Sequence, residues 1–89
     1  MTNKKLVDEI LEYRDKIGPF GLYVGELSKA DFVMGCYFDE STGEYKTYKN
    51  GERGFCTVRY SGKDEIEALN ALLSMVKGRS KMLDNVRDR

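Results

Sequence analysis

The sequence predicts a two-layer α+β domain of order αββββα, with a four-stranded antiparallel meander carrying an N-terminal and a C-terminal helix on one face. Three observations predict it. Apolar residues recur at helical spacing near both ends of the chain. Four short runs between them are separated by glycine-bearing turns. One of those runs, Asp31 to Asp39, is apolar on both of its alternating faces. Such a run belongs in the interior of a sheet, so the other strands are registered against it.

Residues 3–17 read as an amphipathic helix, with Leu6, Val7, Ile10, Leu11, Tyr13 and Ile17 at i, i+3, i+4, i+7 spacing. Thr2 or Asn3 is available as its cap, and Gly18-Pro19 ends it. A short strand over 20–25 follows, then a polar connection, Glu26 to Ala30. Glu40-Ser41-Thr42-Gly43 is a turn, residues 44–49 a third strand, Asn50 to Gly54 a second turn with the Asn-Gly signal, and residues 55–60 the fourth strand. Ser61 with Asp64 approximates a capping box for a second helix, whose apolar stripe is Ile66, Leu69, Leu72, Leu73 and Val76 and whose stop is Gly78. Residues 1–78 thus form one domain and 79–89 a charged C-terminal tail. Eighty-nine residues lie near the lower limit for independent folding, and 40% hydrophobic content supplies one modest core.

Four-residue loops at 40–43 and 50–53 set the register. They pair Asp39 with Glu44, Tyr37 with Lys46, Gly35 with Tyr48, Tyr48 with Phe55, Thr47 with Cys56 and Tyr45 with Val58. Alternation then sorts the side chains. Phe32, Met34, Cys36, Phe38, Tyr45, Thr47, Cys56, Val58 and Tyr60 face the helices; Val33, Gly35, Tyr37, Asp39, Glu44, Lys46, Tyr48, Phe55, Thr57 and Arg59 form the open face. Cys36 and Cys56 fall on one face with a strand between them, roughly 9–10 Å apart. A disulfide needs about 7 Å or less, so both are expected as buried free thiols.

The composition narrows the function classes. Fifteen basic and fifteen acidic residues cancel, which leaves no overall footprint for nucleic acid or anionic lipid. The signs are nonetheless segregated: residues 22–44 carry five acids against one lysine, and residues 45–62 four bases against one acid. With no histidine there is no Ser-His or Cys-His pair and no imidazole base, and no phosphate-binding or dinucleotide glycine motif occurs. The expectation is a non-enzymatic protein without cofactor or metal. No apolar run reaches transmembrane length, and amphipathic sequence follows the first lysines where a signal peptide would be apolar, so the expected compartment is the cytoplasm.

The open face holds the candidate site: Tyr37, Asp39, Glu44, Lys46, Tyr48, Phe55 and Arg59, aromatic residues bordered by charge. Tyrosine and arginine are enriched at protein interfaces, which favours a protein-binding surface. Two other readings stand beside it. The rings can simply cover gaps, with Tyr48 lying over Gly35. They can also stack bases as in single-strand nucleic-acid binders, although such platforms sit in basic grooves and here Asp39 and Glu44 offset Lys46 and Arg59. The acids at the 39–44 turn are those of a solvated hairpin tip.

The run Phe32-Val33-Met34-Gly35-Cys36-Tyr37-Phe38-Asp39-Glu40, the turn Tyr48 to Gly54 with Glu52-Arg53-Gly54, and the helix Glu65 to Leu72 carry a family resemblance over residues 20–77. This pattern resembles small bacterial immunity proteins of polymorphic toxin systems, of the Imm59-like type. The resemblance implies a cytoplasmic antitoxin that binds a cognate toxin domain tightly and catalyses nothing; it implies no interface residues. A homodimeric regulatory or structural subunit joined through the open sheet face is the alternative.

Overall fold

The computed structural model describes the backbone of residues 3–87 and side chains through Met82. Its elements are α1 (Lys4–Leu11), β1 (Gly21–Val24), β2 (Val33–Asp39), β3 (Glu44–Asn50), a 3₁₀ turn (Glu52–Gly54), β4 (Cys56–Gly62) and α2 (Glu65–Arg87). The α+β class and the αββββα order are as expected. The all-antiparallel meander is not: the sheet order is β1-β2-β3-β4, but β1 runs parallel to β2, so the sheet is mixed.

The correction originates in the β1–β2 connection. The connection Glu26 to Ala30, read as a simple polar link, is part of an eight-residue strap, Gly25 to Phe32, that carries the chain back to the start of β2. Parallel crossovers usually take a dozen or more residues. This one is short because β1 has four residues, about 13 Å of strand, whereas eight extended residues reach roughly 26 Å. Backbone strain marks both ends. Gly25 has φ +95° with nothing near its missing Cβ, so the conformation rather than crowding calls for glycine. Phe32 holds φ +55°, uncommon for a bulky residue. Its ring stands edge-on to Phe20 at 5.7 Å instead of entering the helix-side core.

The β2–β3 register is the expected one, with Asp39 opposite Glu44, Tyr37 opposite Lys46 and Gly35 opposite Tyr48. Gly43 closes that hairpin with φ +71°. The β3–β4 register is not. Asn50 stays in β3 and pairs with Cys56, the loop becomes Gly51 to Phe55, and Arg53 takes the left-handed conformation (φ +61°) within it. A bulge follows: Tyr48 faces Val58 and Thr47 faces Tyr60, leaving Arg59 as the extra residue. The odd shift moves Cys56 and Val58 off the helix side, and the bulge returns Tyr60 to it.

The core lies between the helices and the β2–β3 face that carries Met34 and Cys36. Ile10 and Ile17 join Phe20, Ala68, Leu69, Leu72, Leu73 and Val76 there. Fully burying a leucine or valine contributes about 1.5–3 kcal/mol, so the α2 stripe is the largest contributor. Thr47 Oγ1 donates to the Ala68 carbonyl at 2.6 Å and seats α2 on β3. The α2 start is capped by Asp64, whose Oδ1 accepts from the Ile66 and Glu67 amides, whereas Ser61 belongs to β4. Asn3 does not cap α1 through its side chain. It donates to Glu65 Oε1 at 2.6 Å and ties the two helix starts together; Thr2 lies outside the described residues. The α-helix ends at Leu11, earlier than the periodicity predicts, and tighter i→i+3 turns carry the chain on towards buried Ile17. Gly78 is not a stop. α2 runs through it to Arg87, and Ser80 is buried beyond it. No helix among the described residues is long and apolar enough to cross a membrane.

Both cysteines are free, but only Cys36 is buried; Cys56 is exposed on the opposite face. Burial also pushes the Cys36 thiol up, which keeps it protonated. Ellman titration of the native protein is therefore expected to release one fast equivalent, lost in Cys56→Ser. The second equivalent appears only on unfolding. Two fast thiols in the native protein would contradict the face assignment.

Candidate functional site

The face opposite the helices is organised by a glycine and a tyrosine. Gly35 and Tyr48 are cross-strand partners, and a Cβ on Gly35 would lie 2.6 Å from Tyr48 Cζ and 2.7 Å from the Tyr23 carbonyl oxygen. The missing side chain lets the Tyr48 ring lie flat across β2 and reach the strap. There its hydroxyl donates to the Glu26 carbonyl at 2.9 Å and accepts from the Ser28 amide at 2.8 Å. Tyr48 is fully enclosed, 0% exposed, and burial raises its phenol above the ordinary value. Two residues further along β3, Asn50 adds a second tie. Its Nδ2 donates to the carbonyls of Ser28 (2.7 Å) and Ala30 (3.0 Å). These bonds give the strap's backbone groups partners that no strand provides.

The strap closes the β1 side of this face, and what stays open lies towards β4 and the 39–44 hairpin. Tyr37 meets Tyr48 edge-on at 5.7 Å and is half-buried. Asp39 and Lys46 form an ion pair at 2.8 Å, with Ser41 donating its amide and hydroxyl to Asp39 Oδ1. The Lys46 ammonium, then Ser41, hold the Asp39 carboxyl well below the usual carboxylate range, and Asp39 raises Lys46 in return. Glu44 sits at the hairpin end of the same face, opposite Asp39.

Along the outer margin, Phe55 is 77% exposed and Val58 49% exposed, with exposed Cys56 between them. β4 has a neighbour on one side only. Of the residues predicted for the site, Tyr37, Asp39, Glu44 and Lys46 lie together on the open face, and Phe55 stands at its rim. Tyr48, one of the three rings that could stack a base, is removed from the accessible surface by the strap. Arg59 is removed by the bulge and lines a groove on the helix side with Met34 and Met75. Cys56 and Val58 take their places, two residues the assumed loop length had assigned to the core. The Asn50 ties were missed because Asn-Gly read as the start of a turn; a buried asparagine at a strand end has no one-dimensional signal beyond that.

No family model, characterised protein or solved structure matches this chain.

Two outcomes follow from this geometry. In urea denaturation, Tyr48→Phe is expected to cost about 1–3 kcal/mol because two strap groups lose their partner. Gly35→Ala should cost a similar roughly 1–3 kcal/mol, since the Tyr23 carbonyl is backbone and yields little. Val58→Ala, half-exposed, should stay within about 1 kcal/mol. The ion pair sets the acid side. Asp39 has a folded pKa depressed from its unfolded value of about 3.9, so its stabilisation is complete above that value and is lost as pH falls through the folded one. The stability difference between the wild type and Lys46→Gln should therefore be constant near neutrality and narrow steadily below about pH 4. A difference that widens on acidification would contradict the pairing.

Proposed function

We propose that this chain is a non-enzymatic protein-binding module, and specifically an immunity protein that neutralises a cognate bacterial toxin domain in the cytoplasm by tight binding and occlusion. The resemblance over residues 20–77 motivates the specific form. The observation that carries the general one is the exposed strip Phe55, Cys56 and Val58 along the free margin of β4. A phenylalanine 77% exposed contributes little to its own fold. It supplies an exposed aromatic anchor level with Gly51 at one end of the sheet, while Tyr37, Glu44 and the Asp39–Lys46 pair lie towards the other end of the same face, roughly 15–25 Å along the strands. Aromatic anchors and polar surroundings are what protein interfaces use.

The unpaired edge of β4 also favours a second reading, a homodimer formed by pairing two such edges, since open edges recruit strands. Light scattering separates the two, because a monomer whose mass is independent of concentration leaves only the heterologous partner. For the leading reading, the purified protein should form a stoichiometric complex with the toxin domain encoded beside it, and co-expression should rescue growth. Phe55→Ala should weaken that complex by about 1–3 kcal/mol without moving the urea midpoint. Failure of both complex formation and rescue would overturn the proposal.

A further inference from the structure

On the helix side, between β3–β4 and the C-terminal half of α2, a groove of about 230 Å³ is lined by Met34, Lys49, Arg59, Met75, Arg79 and Met82. Its composition is unusual for a chain of zero net charge. Three cations border three methionines, and among the described residues the ion pairs are Lys46–Asp39 and Lys77–Glu9, neither of which involves the groove. Lys49 Nζ and the Arg79 guanidinium carbon lie 5.1 and 5.0 Å from the centroid of one ring, Phe20. Two like charges are thus held near a shared aromatic with no anion among the described residues paired to either of them. Arg79 Nε is buried and has no hydrogen-bond partner among the described residues, a donor that ordinarily finds one.

We infer that this groove is a docking site for an acidic segment of a protein partner, with a carboxylate received by Lys49, Arg59 and Arg79 and a neighbouring apolar side chain packed on the methionines. Two observations choose this occupant. The cations need an anion, and a planar guanidinium takes a carboxylate through paired N–H bonds. The volume lies below the roughly 300 Å³ at which small-molecule pockets begin, and suits one or two side chains instead. Methionines adapt their shape to an apolar anchor. The site rests on the protein-binding reading above and adds a second, helix-side contact with a stated chemistry.

The test uses the full chain with ¹³C-methyl methionine, titrated with the capped pentapeptide LELDL and with its uncharged counterpart LQLNL. The Met34, Met75 and Met82 signals should move saturably with the acidic peptide, and the uncharged peptide should bind about tenfold more weakly or worse. Arg59→Gln and Arg79→Gln should each weaken the acidic peptide by about tenfold, while Lys77→Gln leaves it unchanged. Arg59 is exposed, so its variant remains informative if Arg79→Gln does not fold. Equal affinity for both peptides, shifts that avoid these methionines, or acetate alone moving them as far would overturn the site. A toxin complex that forms normally alongside any of those results would remove this groove and leave the protein-binding reading intact.

Discussion

The far side of the sheet depends on one contact, the Tyr48 ring lying across Gly35. A parallel β1 next to β2 requires a crossover, and this eight-residue crossover without a helix meets little of its own hydrogen bonding internally, apart from the Ala30 amide donating to Ser28 Oγ at 3.2 Å. Its polar backbone must be satisfied from the surface it crosses. Tyr48 does this by both donating and accepting, and Asn50 does it with both amide hydrogens. Only glycine at position 35 lets the tyrosine lie low enough to reach. The apolar middle strand is therefore buried on both sides by different means: helices over Met34 and Cys36, and a pinned strap over Val33 and Gly35.

This arrangement allocates the surface. Had the far face of the sheet been bare, Tyr48 would have been a natural anchor for a partner. With the strap in place its ring is structural, and the accessible apolar groups shift to Phe55 and Val58 on the β4 margin. The bulge at Arg59 completes the redistribution by sending a cation to the helix side, where it joins Lys49 and Arg79. One crossover and one extra residue thus divide the molecule into a closed flank and two surfaces of different chemistry, one aromatic with paired charges and one cationic.

The amphipathic helices and the β2–β3 hairpin were legible from sequence because their signals are local: periodicity, a late-loop glycine, and a strand apolar on both faces. The pairing of Gly35 with Tyr48 followed from them, as did the possibility that the ring covers the glycine. Three features were not legible. The strand direction of β1 depends on how a polar stretch is routed in space, which composition does not encode. The β3–β4 register turned on whether Asn50 began the turn or ended the strand, and tertiary bonds to Ser28 and Ala30 decided it. The odd shift put Val58 opposite Tyr48 on the far face, where it is half-exposed. Gly78 sits inside α2 because the packing of Val76 and Ser80 on either side outweighs roughly 1 kcal/mol of helix propensity.

The central claim, that Tyr48 pins the crossover and so decides which part of the sheet is open, is tested most directly by native-state hydrogen exchange at the Ser28 amide. This amide lies in a segment without secondary structure and donates to the Tyr48 hydroxyl at 2.8 Å. It should exchange as slowly as the central strands in the wild type and near the unprotected rate in Tyr48→Phe, while the Tyr48 and Thr47 amides of β3 keep most of their protection. A Ser28 amide that exchanges freely in the wild type would contradict the account.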